Sequence, residues 1–289
     1  MNNEERLIRP TAIVLADDMV GSDLASIFSG YGKASLMVAG YSVIEHLLME
    51  LEDLGFDQCL VLAKNDARRI QTLIGDTRRW GMSINVMDYQ LSTDQVLSEY
   101  QSLGDPNGLL VINLDRLRSH CVDQFLTEAN RSEGRLLAAT AKGQLLGLTL
   151  LKPHASNVMV NAAPIELIDV VVNSLSSAGD FKAANFSVVS GDLAGLLPSV
   201  HHNSRVGRRQ HWEAYVHRRA VLVPKEVMIE RRCRIAKNAS LDTVILNRDV
   251  LIGPNVSLTD TIVMPNSIVS TLRPIHGAIV NKGVVYQVS

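Results

Sequence analysis

The chain is short of the features that would tie it to an oxidising compartment, a membrane or a nucleic acid. Its three cysteines, Cys59, Cys121 and Cys233, are odd in number, far apart and without metal-ligand spacing. That pattern excludes a disulfide framework and reads as buried or free thiols of a reducing compartment. No apolar run reaches the roughly 20 residues of a membrane span, and MNNEERLIRP lacks a signal-peptide pattern. A cytoplasmic location with no membrane span is therefore expected. Charge of one sign is lacking too: a net charge of −2 over 289 residues argues against nucleic acid as a partner of the whole chain. What is present is ordinary globular composition, 46% hydrophobic, enough for one large domain or two smaller ones.

Short apolar runs alternate with helical patterns over the first two thirds, predicting βαβ units on a largely parallel sheet. Thr11 to Ala16 (TAIVLA) reads as a buried strand. Ser42 and Glu45 form a capping box opening a helix whose apolar face is Val43, Ile44, Leu47, Leu48, Leu51 and Leu54, and Gly55 ends it. Cys59 to Ala63 is the next strand, Ile70, Leu73 and Ile74 mark a short helix, and Ile84 to Met87 is strand-like. Thr93 is expected to cap a helix carrying Val96, Leu97 and Tyr100, and Leu109 to Leu114 (LLVINL) is the strongest strand, delivering Asp115 at its carboxyl end. In doubly wound sheets ligands gather outside those carboxyl ends, so Asp115 and the loop after Ala16 are predicted to share a crevice.

The character changes after about residue 207, and the domains are drawn as 1–207 and 208–289. Aliphatic residues recur at Ile229, Ile235, Leu241, Leu246, Ile252, Leu258, Val263 and Val269, in steps of six, six, five, six, six, five and six. Superposed on itself at 17 residues, the segment aligns Ile229 with Leu246 and Val263, Asn238 with Asn255, and Ser240 with Ser257. Three flat sides per turn, each with one inward aliphatic, describe a parallel β-helix of little more than two coils. Ala278 to Tyr286 is expected to form a hairpin turning at Asn281-Lys282-Gly283 and capping it.

Residues 11 to 46 and the order of parts resemble the sugar-1-phosphate nucleotidyltransferases, the nucleotide-sugar pyrophosphorylases such as mannose-1-phosphate guanylyltransferase. In that family a strand leads to a G-x-G-T-R-L loop, then a Pro-Lys and a V-A-G-x-P-x-I-E-H segment. Here Gly21-Ser22-Asp23-Leu24 falls on G-T-R-L, Lys33 falls nine residues after Leu24, and Val38-Ala39-Gly40 and Ile44-Glu45-His46 match. The resemblance implies a Rossmann-like (GT-A-like) α/β domain with a mostly parallel sheet, followed by a short left-handed β-helix. It also implies Mg²⁺ as cofactor, with Asp115 as first metal ligand and Asp192, in Ser190-Gly191-Asp192-Leu193-Ala194, as the nearest counterpart of the second. Ser92, Thr93 and Asp94 fall on the base and sugar pocket, and Lys33 on the phosphate-binding lysine.

The departures concern the phosphate loop. Asp17 and Asp18 stand at two loop glycines and Asp23 at the arginine, beside Gly21 and Ser22, and Gly32 replaces the proline before Lys33. Phosphoryl transfer draws on position and positive charge. One unit charge pair at 4 Å and an effective dielectric near 20 is worth about 4 kcal/mol, so inverting a charge there is severe. The expectation is a degenerate relative that binds a nucleotide or nucleotide sugar and regulates or scaffolds polysaccharide precursor synthesis. The alternative is an active Mg²⁺-dependent enzyme making a nucleotide sugar and pyrophosphate, its acidic loop bridged by metal. An acyltransferase-like solenoid ranks last, since no histidine lies between residues 218 and 275.

Independently of the family, residues 205–237 carry ten cationic side chains against Glu213, Glu226 and Glu230, a surplus of seven that leaves the rest of the chain at −9. Such a strip suits an acidic partner, a phosphorylated ligand or the chain's own acidic domain. Association with itself or with another protein is expected through this strip or the β-helix.

Overall fold

A computed structural model describes residues 10–16, 18–89, 91–103, 108–152, 162–203, 208–223 and 227–288. It is an α/β protein with largely parallel, mixed sheets and no closed barrel. No described helix is long and apolar enough to cross a membrane. Two compact units emerge: the first is Met1–Met19, Gly30–Leu36 and Ser42–Ser174, the second Val20–Ser29, Met37–Tyr41 and Leu175–Ser289. The division therefore differs from a single cut at 207: residues 175–207 and two short early segments belong with the carboxyl-terminal part.

The first unit is built on an open seven-stranded sheet. Its order is Ala163–Glu166, Leu136–Ala141, Gln144–Leu151, Leu109–Asn113, Thr11–Leu15, Gln58–Leu62, Ser83–Met87. Leu109–Asn113 lies at the centre, its residues 109–112 buried throughout, as a strand covered on two faces requires, and Thr11–Leu15 beside it is parallel to both of its neighbours. Antiparallel pairing enters through Gln144–Leu151, which joins Leu136–Ala141 by a two-residue turn at Lys142 and Gly143, both at positive φ. The helix Val43–Asp53 opens on the expected Ser42/Glu45 capping box. Helix Thr93–Leu103 is capped one residue earlier than expected. Ser92 Oγ accepts from the Gln95 N–H while Gln95 Oε1 accepts from the Ser92 N–H, because glutamine three residues on completes the reciprocal pair for Ser92. Its Val96 and Leu97 pack with Ile13, Leu15, Leu109, Val111 and Leu151 in one core cluster.

In the second unit the 17-residue self-alignment is the pairing register itself. Val227–Ile229, Ser240–Leu246, Ser257–Val263 and Ile275–Asn281 pair in parallel, with Ile229 opposite Leu246 and Leu246 opposite Val263. A separate sheet stacks Tyr215–Val216, Arg234–Ile235, Leu251–Ile252 and Ile268–Val269. The stack begins earlier than the periodicity indicated. Arg209 faces Met228 and Tyr215 faces Arg234, an offset of 19 residues, so the first layer falls outside the 17-residue repeat. Corners stand in columns with left-handed φ: Arg232, Asp249 and Asn266; Asn238 and Asn255; Thr243, Asp260 and Gly277. Asn238 Nδ2 donates to Asn255 Oδ1 at 3.1 Å, and Arg232 Nε to Asp249 Oδ1 at 2.6 Å, so two columns are bonded from layer to layer. Val285 and Val280 pair in the terminal hairpin, with Lys282 and Gly283 at positive φ in its turn.

Inside the stack the inward row Ile229, Ile235, Leu241, Leu246, Ile252, Leu258, Val263 and Val269 is buried in one cluster. A second buried row was not read from the sequence: Met228, Ile245, Ile262 and Ile279 alternate with inward residues, face outward, and are 0% exposed. Three hydrogen bonds tie other parts of the same unit to this region: Lys182 Nζ to Asp260, Arg209 Nη2 to Val189 O and Asn281 Nδ2 to Ile27 O. Phe28 and Phe181, with ring centroids 5.0 Å apart, join the early segment to helix Ala178–Ser190.

Candidate functional site

Lys33 begins a single 3-10 turn, Lys33–Ser35, anchored by the buried Asp66. Asp66 Oδ2 accepts from the Gly32 N–H at 3.1 Å and from Ser35 Oγ, while Oδ1 takes Arg69 Nη1 at 2.7 Å. Arg69 also reaches Gly30 O at 2.7 Å and lies over the Tyr31 ring at 3.7 Å. Glycine at residue 32 has a physical reason here. The turn uses an N–H that proline lacks, and a Cβ would lie 3.1 Å from Asp66 Oδ2.

The Lys33 ammonium is 3.0 Å from Asp18 Oδ2 and donates to Asp115 O at 3.0 Å; its side chain is only 13% exposed. Asp115 follows the central strand, as expected. Both of its carboxylate oxygens are taken by the next residue: Arg116 Nε donates to Oδ1 at 2.7 Å and Nη2 to Oδ2, while Nη1 reaches Leu145 O at 2.7 Å. The Asp115 hydrogen bonds hold the Arg116 guanidinium above its ordinary pKa, with charge from Asp115 and Asp18 adding to the shift and burial opposing it. Arg116 is the cation that the sequence reading passed over, although its place beside Asp115 at a strand end was the available signal.

A cavity of about 500 Å³ opens at this sheet end. Leu15 and Leu91 supply its apolar wall, Ser92, Thr93 and Asn113 neutral polar groups, and Asp18, Asp94 and Asp115 carboxylates. Asp115 and Asp18, from the loop after Ala16 expected to share its crevice, line one cavity together with the separately noted Ser92-Thr93-Asp94 segment, and Lys33 is bonded to two of its walls. A neighbouring cavity of about 440 Å³ shares Leu91 and Ser92 and adds Lys64, Asp88 and Tyr89. Gly147 makes the close approach of its strand possible: φ is +75° and a Cβ would fall 2.7 Å from Asn113 O.

The remaining candidates serve other ends. Asp17 lies outside the described residues. Gly21, Ser22, Asp23 and Asp192 belong to the second unit. Asp23 Oδ2 accepts from the Ala178 N–H at 3.1 Å, adding to the Ser177/Asp180 capping box at the N-terminus of helix Ala178–Ser190. A carboxylate suits that position, where N–H groups and the helix dipole favour negative charge. Gly21 precedes the short helix Ser22–Ala25. Exposed Asp192 follows the left-handed Gly191 cap and accepts from Ser190 Oγ at 2.5 Å. In the basic strip, Arg205 and Lys225 lie outside the described residues, Arg208 bonds Gln210, and Arg232 pairs with Asp249. His211 and His217 are turn residues whose Nδ1 atoms accept from the Glu213 and Arg219 N–H groups.

The donor set fits Mg²⁺ poorly. Asp115 offers no oxygen without an arginine bond, Asp18 is paired with Lys33, and no group of three His, Cys, Asp or Glu among the described residues is placed to hold a metal.

No family model matches the chain, and no curated protein matches it.

Proposed function

We propose that the chain is a nucleotidyltransferase-like protein, related to the nucleotide-sugar pyrophosphorylases, whose catalytic site has degenerated. It acts as a regulatory or scaffolding partner in sugar-nucleotide and polysaccharide synthesis in the cytoplasm. On this reading the first unit is the Rossmann-like domain and the 17-residue stack a left-handed parallel β-helix. The observation carrying the proposal is the Arg116 clasp on both oxygens of Asp115, at the place where the family holds a metal. With Asp18 paired to Lys33, the cations that would meet a triphosphate are spent on the chain's own carboxylates. Releasing a hydrogen-bonded charge of this kind costs about 1.5–3 kcal/mol per bond, so ligand phosphates must compete with contacts already made.

The gathering of Asp18, Asp94 and Asp115 in one cavity beside Lys33 favours the second reading, an active pyrophosphorylase. Pyrophosphate release from each common nucleoside triphosphate, with a panel of sugar 1-phosphates and Mg²⁺, separates the two. The degenerate reading expects none above a blank. Turnover lost in Lys33→Ala and Asp115→Ala would overturn it.

A further inference from the structure

The cavity's lining is as informative for what it lacks as for what it holds. Three carboxylates, two hydroxyls and a carboxamide face its contents, and no Lys, Arg or His is among the lining residues described. The two cations bonded to its walls are engaged by the protein itself: Arg116 uses Nε, Nη1 and Nη2 on Asp115 and Leu145, and Lys33 bridges Asp18 and Asp115, while Lys64 lines the neighbouring cavity. Asp94, in the first turn of its helix, and Asp18 are the exposed carboxylates of the set. A ligand entering here meets hydrogen-bond acceptors first.

We infer that this cavity takes a hydroxyl-rich, unphosphorylated ligand of the sugar or nucleoside class, without a divalent cation, and turns away the phosphorylated form. The inference rests on the non-catalytic reading above and gives its site a ligand class. Hydroxyl groups donate to carboxylates in charge-assisted bonds, which are shorter and stronger than neutral ones. Leu15 and Leu91 offer an apolar surface to the C–H face of a sugar ring or to a flat base. The volume, about 500 Å³, is that of an ordinary small-molecule site. A phosphate would bring two negative charges toward Asp18, Asp94 and Asp115, where Lys33 is already held by Asp18 and the exposed Lys64 stands in the neighbouring cavity, not this one. An amine on the ligand is tolerated or favoured, which puts the ranking by ligand charge in the reverse order to that of a phosphate site.

Calorimetric titration of the full chain tests this with a free hexose, its amino sugar, its 1-phosphate, a nucleoside, and that nucleoside's mono- and triphosphate, each with Mg²⁺ and with EDTA. The amino sugar is expected to bind at least as tightly as the hexose. Each phosphorylated compound should bind at least about tenfold more weakly than its parent, with no change on chelation. The hexose and nucleoside arms distinguish the two sources of hydroxyls. Asp94→Lys, at an exposed helix position, should narrow the gap between parent and phosphate while leaving the fold intact by circular dichroism. Equal or tighter binding of the phosphates, loss of binding in EDTA, or no binding by any member at millimolar concentration overturns the inference. Tight triphosphate binding with Mg²⁺ but without turnover would overturn it and leave the degenerate reading standing; turnover would remove that reading itself.

Discussion

Gly40 has φ at +90°, and a Cβ there would lie 1.9 Å from Ser199 Oγ and 2.3 Å from Glu230 Oε1. Backbone and neighbours both demand glycine, so Gly40→Ala is expected to cost more than about 2 kcal/mol in urea unfolding. Glu230 itself is buried, takes the Arg248 N–H at 2.7 Å on Oε2 and the Ser199 hydroxyl on Oε1. Burial pushes its carboxyl above the usual range, the Ser199 and Arg248 hydrogen bonds opposing. A raised folded pKa means that the folded state holds the proton longer than the unfolded one. The group's contribution is then fully present below about pH 4.3, the ordinary glutamate value, and is lost as pH rises through the folded value. Glu230→Gln should flatten that loss across a pH series of unfolding curves; an unchanged profile would place the pH dependence elsewhere. The three thiols tell a related story. Burial raises Cys59 and Cys233 to about 12 and Cys121 to about 11, and all three are free and buried, within the sequence reading of buried or free thiols.

At the scale of elements, the start of the helix Thr93–Leu103 offers a discriminating pair of substitutions. Ser92→Ala removes the hydroxyl that accepts the Gln95 N–H and should cost about 1 kcal/mol, whereas Thr93→Ala should cost much less. Equal costs in thermal unfolding would contradict the observed cap. This one-residue error was one the sequence could have corrected: a capping box needs Glu or Gln three positions on, which Ser92 has in Gln95 and Thr93, followed at that spacing by Val96, lacks. The strands Thr11–Leu15, Gln58–Leu62 and Leu109–Asn113 were legible because central strands covered on both faces leave continuous apolar runs. The hairpin Leu136–Ala141 with Gln144–Leu151 was not singled out, since its alanines and scattered leucines carry no clear period. In the cavity, the aspartates were legible one by one through register with a family, but Arg116 was not. A cation's partner depends on side-chain direction, which spacing alone does not supply.

Across the whole chain, the row Met228, Ile245, Ile262 and Ile279 is buried although it faces out of the stack. A fragment cut at 208, the boundary that composition suggests, omits Phe28, Phe181 and helix Ala178–Ser190. It should bind a hydrophobic dye strongly and aggregate, whereas the intact chain should not; a soluble, dye-silent fragment would show that the row needs no cover from them. The second unit, moreover, draws on Val20–Ser29 and Met37–Tyr41 as well as on everything after Leu175. On the ribosome the early pieces emerge first and wait while more than a hundred further residues are synthesised before their partners exist. Contacts so distant in sequence are slow to close. During that interval Leu24, Ile27 and Phe28 have nothing of their own unit to bury against, making them natural points of attention for a chaperone while the chain is still being made.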